Sequence, residues 1–109
     1  MQGTLLRFYL TEKQSHDGIL LWEWLLEKAN AIGVRGGSAF RAIGGFGRRH
    51  AVHENRFFDL AGDTAIEVEF VVSEDEARQL LELCRVEAIG IFYTMIPASF
   101  GVVGAGDAA

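Results

Sequence analysis

The sequence predicts an α+β sandwich of element order β-α-β-β-α-β, one four-stranded antiparallel sheet with two helices on one face. Three observations carry that reading. Ala65 to Val72 alternates sharply between apolar and polar residues and runs straight into an acid-rich helix start at Ser73. Leu5 to Thr11, aromatic and aliphatic, is likewise followed by a stretch with helical spacing. The length of 109 residues allows one domain, since domains cluster at roughly 100–150 residues.

Taken in order, Leu5 to Thr11 reads LLRFYLT and is a buried first strand, broken by Arg7 and Thr11. Gln14 to Gly18 is polar and turn-like, and His16 falls in that loop. Asp17 stands where an N-cap carboxylate would accept the free amides of a helix beginning at Gly18 or Ile19. Leu21, Leu25 and Ile32, with Trp24 and Ala31 beside them, form the apolar stripe, while Glu23, Glu27 and Asn30 lie elsewhere. Trp22 and Trp24 cannot both face the core, so one is expected at the sheet edge or in a contact between copies. Gly33 suits the left-handed position that ends a helix.

Gly36 to Ile43 alternates well enough for a second strand. Gly44 to Arg56 is unlike the rest, Phe57 to Leu60 reads as a short strand and Ala61-Gly62-Asp63 as a turn. In Ala65 to Val72, Glu67 and Glu69 share one face and Ile66, Val68 and Phe70 the other. Ser73-Glu74-Asp75-Glu76 is a capping box, and its three acids favour the positive end of the helix dipole. Ala77, Leu80, Leu81 and Cys84 give the second helical stripe, with Arg85 near the negative end. Gly90 to Ile96 is the last strand, with Pro97 as its stop. Residues 1–100 are expected to form the domain and 101–109, rich in Gly and Ala, a loose tail.

Two βαβ halves with right-handed crossovers place both helices on one face, the ferredoxin-like arrangement. The other face then lacks a cover. The outer strands are expected to be apolar on both sides, with Phe8, Leu10, Phe92 and Met95 against Leu6, Tyr9, Ile91 and Tyr93. At about 25 cal/mol per Å², several hundred Å² left wet would forfeit many kcal/mol, so a homo-oligomer is expected.

Composition removes whole classes. Fifteen acidic against ten basic side chains give a charge of −5, which argues against a nucleic-acid coat. A hydrophobic share of 50% suits a packed core rather than a disordered chain. No apolar run approaches the roughly 20 residues of a membrane span, and Met1 to Arg7 does not read as a secretion signal. Cys84 is the single cysteine, so an intrachain disulfide and a cysteine-rich metal site are excluded. The expected compartment is the reducing cytoplasm.

Charge is nevertheless concentrated in one place. Arg35, Arg41, Arg48, Arg49 and Arg56, half of the ten basic residues, lie between positions 35 and 56 with His50 and His53, and Glu54 is the one acid there. Glycines 44, 45 and 47 let the backbone approach a ligand, and arginine supplies a forked, permanently charged donor for phosphate. The spacing matches neither the P-loop nor the dinucleotide fingerprint, so a solvated hairpin and an anion site are both open readings. His50 and His53 would share a face only in a helix, and no metal-ligand set is expected. Cys84 reads as a small core hydrophobe. Asp59 and Asp63 read as turn residues, and without a nucleophile elbow the chain is expected not to be an enzyme.

Gly45-Phe46-Gly47-Arg48-Arg49-His50-Ala51-Val52-His53, followed by Ile66 to Val72 and an acidic helix start, resembles the PII signal-transduction superfamily. The likeness is closer to its PII-like bacterial branch of unknown function, where an LRIYI-type strand, a helix, an R-x-I-x-G-F-G turn and a histidine follow in this order. Here that turn begins at Arg41. The resemblance implies a cytoplasmic homotrimer whose effectors, usually adenine nucleotides, bind between subunits at the base of the loop after the second strand. It implies that the loop presents or hides a surface for a transporter or a metabolic enzyme. By position, Gly45, Gly47 and Arg48 belong to the loop base, Arg49 to Arg56 with His50 and His53 to the loop, and Arg41 approaches from the strand.

The chain departs from that pattern in the GDGK-type loop before the last strand. Here Arg85 to Gly90 carries no lysine and adds Glu87, so an ATP grip of the PII kind is not implied. A less charged adenylate or another small anion remains open. The loop has no tyrosine to accept a uridylyl group, and Phe92 to Gly101 is placed to line the same cleft. The expectation is a non-catalytic sensor of a small anionic metabolite or adenine nucleotide. The alternative is a trimeric interaction module that docks an acidic partner through its basic loop.

Overall fold

The computed structural model describes residues 1–45 and 64–104. Strand β1 (Gln2–Thr11) is the central element, hydrogen-bonded on one side to β5 (Ala65–Val72) and on the other to β6 (Phe92–Ser99). Strand β4 (Gly37–Arg41) pairs with the far side of β5, so the sheet runs β4-β5-β1-β6 with every pair antiparallel. Helix α1 (Leu21–Ala31) carries the crossover from β1 to β4, and α2 (Glu74–Val86) that from β5 to β6. This is the ferredoxin-like sandwich the sequence predicts.

Period-2 alternation decides what the helices cover. Leu6, Phe8 and Leu10 of β1 face them with Ile66, Val68, Phe70 and Val72 of β5, and all are buried. Leu21, Trp24, Leu25 and Ala29 of α1 and Ala77, Leu80 and Cys84 of α2 close the core from above. The expected sorting of strand faces is corrected by the register. Leu6 lies opposite Met95 and Phe8 opposite Tyr93, so these four share the helix side. Tyr9 lies opposite Phe92 and Leu5 opposite Ile96, which puts those four on the open side. A period of exactly two residues leaves no room for Leu6 and Phe8 to part.

Three other expectations are corrected. Asp17 does not cap a helix. Asp17 and Gly18 have φ of 52° and 84° and form the two-residue turn of a hairpin joining β2 (Ser15–His16) to β3 (Ile19–Leu20). Paired left-handed residues of the Asp-Gly type mark a type I′ turn, whose twist matches that of the strands it joins. Helix α1 therefore starts later, without a side-chain cap, and the Leu21 N–H donates to the Gln14 carbonyl at 2.8 Å. In its last turns Ala29 is buried and Ala31 exposed, because the stripe winds to the next position. Pro97 does not end the last strand but sits inside it opposite Thr4, which an edge strand tolerates because half its amides point outward.

Both helices end alike. Val34 N–H donates to the Ala29 carbonyl at 3.0 Å and Gly33 N–H to Asn30 at 3.1 Å. Ile89 N–H donates to Cys84 at 2.9 Å and Ala88 N–H to Arg85 at 3.1 Å. These are two Schellman motifs, with Gly33 at φ 95° in one and Ala88 at φ 59° in the other. At the start of α2 the predicted capping box is present: Glu76 N–H donates to Ser73 Oγ at 3.1 Å, and Ser73 N–H to Glu76 Oε1 at 2.9 Å.

Candidate functional site

The loop that concentrates the arginines leaves β4 and returns into β5. Its base is closed by backbone bonds from Ala42 N–H to the Ala65 carbonyl at 2.9 Å and from Glu12 N–H to the Thr64 carbonyl at 2.7 Å. Arg41, the last residue of β4, reaches across the end of β5 to Glu12. Its Nη2 donates to Glu12 Oε2 at 2.6 Å and its Nε to Oε1 at 3.4 Å. The hydrogen bond from Arg41 holds the Glu12 carboxyl below its ordinary range. Arg41 thus stands at the loop base with its charge already shared, and an anion there would compete with an exposed carboxylate. Gly45 has φ 154°, in a region open essentially to glycine alone.

Among the sequence-predicted site residues, Gly47, Arg48, Arg49, His50 and His53 lie outside the described residues. So do Arg56, Asp59, the expected strand from Phe57 to Leu60 and the turn at Ala61 to Asp63.

The open face of the sheet is a second feature. At its centre Arg7 Nη2 pairs with Glu69 Oε2 at 2.8 Å, and Arg7 Nε lies 3.8 Å from Glu67 Oε1. Glu67 and Glu69 share a face as predicted, but their partner on the neighbouring strand is a product of register, Arg7 lying opposite Glu69. Around the ion pair the face is apolar. Tyr9 packs on Phe92 with ring centroids 5.3 Å apart, and Val71, Phe92 and Ile96 are exposed. A hollow of about 550 Å³ opens beside it, bordered by Leu5, Arg35, Gly37, Ser38, Glu69 and Phe100.

The segment from Arg85 to Gly90 is engaged within the fold. Arg85 Nε donates to Glu82 Oε1 at 3.0 Å, and Glu87 Oε1 meets His16 Nε2 at 2.9 Å. The sequence marks His16 as a loop residue and gives no sign that Glu87 is its neighbour. The two are 71 positions apart, and no spacing rule links them. Cys84 is buried, and burial pushes its thiol up to about 11, as suits a core hydrophobe rather than a nucleophile.

Residues 3–94 match the family model DUF190, described as an uncharacterized ACR. The UPF0166 protein of Aquifex aeolicus (strain VF5) is 32% identical over 78 residues, covering 72% of this chain and 74% of that protein. A putative PII-like signaling protein from Thermus thermophilus superposes with a TM-score of 0.61 at 18% identity, over 90% of this chain and 88% of that one. CPII from Thiomonas intermedia K12, bound to ADP and bicarbonate, gives 0.56 at 23% identity over 90% and 87%. The same protein, described as a nitrogen regulatory PII-like protein and bound to ADP, AMP and bicarbonate, gives 0.57 at 21% over 90% and 87%. At these identities the structural likeness establishes the fold, and it agrees with the resemblance read from the Arg41 to His53 segment.

Proposed function

The chain belongs to the DUF190 family and has the PII-like fold, and from that premise we propose that it is a non-catalytic regulator of the PII-like kind. Copies of the chain associate through the open sheet face as a trimer, and a small anionic effector, an adenine nucleotide, binds between subunits at the base of the β4–β5 loop. The observation that supports this most is the loop base itself. Arg41 closes β4 at the end of a sheet whose free face exposes Val71, Phe92 and Ile96, and Arg48 and Arg49 follow it in the sequence. CPII, which shares the fold, is bound to ADP, AMP and bicarbonate.

With no lysine between Arg85 and Gly90, and with Arg85 held by Glu82, the site favours ADP or AMP over ATP. The effector acts by binding one loop conformation better than another, which shifts the surface offered to a transporter or metabolic enzyme in the cytoplasm.

Calorimetry with ADP, AMP and bicarbonate tests the reading. Saturable binding is expected, weakened about tenfold or more by Arg48→Ala, because a charged hydrogen bond contributes about 1.5–3 kcal/mol. Absence of heat with every anion, together with capture of an acidic protein that Arg48→Ala and Arg49→Ala abolish, would establish the interaction module instead.

A further inference from the structure

We propose that His16, Asp17 and Glu87 form a binding site for a divalent first-row transition-metal ion of the zinc type, which clips the β2–β3 hairpin to the end of α2. His16 Nε2 lies 2.9 Å from Glu87 Oε1 and 3.4 Å from Asp17 Oδ2, and the three ligand atoms all fall within 4.8 Å of one another. A tetrahedral zinc ion with ligands at about 2.0–2.2 Å holds them about 3.3–3.5 Å apart, so these atoms reach that geometry with small side-chain movements. Three protein donors leave a fourth position for water, and an imidazole nitrogen with two carboxylates suits zinc better than magnesium or calcium, which prefer oxygen alone.

His16 is the packed member of the three, while the Asp17 and Glu87 side chains are 76% and 40% exposed. The His16 side chain is 19% exposed, and its ring stands edge-on to Trp24 with centroids 5.2 Å apart and planes at 77°. That contact aims Nε2 outward at the two carboxylates. The hairpin turn sets the backbone of Asp17, and Glu87 is the C-cap of α2, its N–H bonded to the Leu83 carbonyl at 3.0 Å. The carbonyl end of α2 adds negative potential where a cation would sit. Without metal His16 Nε2 is hydrogen-bonded to Glu87 Oε1; an ion replaces that hydrogen bond and takes the imidazole nitrogen and both carboxylates as ligands. The proposed ligand set does not include His50 or His53, and the site does not depend on the adenylate reading.

The test uses the full chain after chelator treatment, titrated with Zn²⁺ alone by calorimetry and with Co²⁺ by tryptophan fluorescence. One equivalent is expected, with Co²⁺ quenching Trp24 because its ring touches the liganding imidazole. Glu87→Gln and Asp17→Asn, which keep size and leave the core untouched, should each weaken binding about tenfold or more. The double variant His50→Ala/His53→Ala should bind as the parent does. No saturable uptake, uptake undiminished in Glu87→Gln and Asp17→Asn, or uptake lost in the His50/His53 variant would each overturn the proposal.

Discussion

A methyl group added at Gly37 would meet Phe70 ring carbons at 2.4 and 2.5 Å and Leu26 Cδ2 at 3.2 Å. Phe70 is fully buried and locked edge-on to Phe8, so the ring cannot yield. Gly37→Ala is therefore expected to cost about 2–3 kcal/mol, read as a lower denaturant midpoint with an unchanged slope. The sequence marks Gly37 only as a strand residue, because Phe70 becomes its neighbour through strand register. Cys84 was legible, since its place in a helical stripe already says that it is buried. Its thiol, raised by burial to about 11, is expected to resist alkylation at pH 8 until the protein unfolds. A raised thiol favours folding below its unfolded value, and that contribution fades as pH climbs through about 9 towards 11. Thiol labelling across that range, alongside denaturant midpoints, checks both statements. Arg41 was legible as a residue of the second strand, but its partner Glu12 was not, being 29 positions away.

At the scale of elements, a signal was readable where a single local rule applied and ambiguous where two applied. The α2 start is wholly local: Ser73 and Glu76 are three residues apart, and the structure shows both of their bonds. Ser73→Ala should lower stability by about 1 kcal/mol. The end of α2 offers the opposite lever. Ala88 holds a left-handed conformation that costs a side-chain-bearing residue about 1–2 kcal/mol. Because glycine also loosens the unfolded chain, Ala88→Gly should gain about 0.5–1 kcal/mol net. Thermal melts of the two variants should therefore move in opposite directions. The start of α1 is ambiguous in the sequence because Asp-Gly fits two rules, a helix cap and a hairpin turn. The hairpin wins once Ser15 and His16 find Leu20 and Ile19 to pair with.

For the whole molecule the decisive feature is the asymmetry of the sheet. Among the described residues, fifteen hydrophobic side chains are buried in one core on the helix side. The edge strand β6 meanwhile exposes Phe92 and Ile96 on one side and Tyr93 and Met95 on the other. Such a surface fits association between copies better than a solitary life in water. Ile96→Glu places a charge in the open face without touching the core, so under the proposed association sedimentation should shift from an oligomer towards the monomer while circular dichroism stays unchanged. A variant as heavy as the parent would show that the copies do not meet there. The sequence by itself determined the order of the four sheet strands and two helices, the α2 cap and the buried thiol. Those follow from periodicity and from neighbours a few residues along the chain. Only the tertiary structure decided which strand faces are open, that Arg7 lies against Glu69, and that His16 meets Glu87. These depend on pairings 62 and 71 residues apart, and only the register of the folded sheet and the packing of its helices bring such partners together.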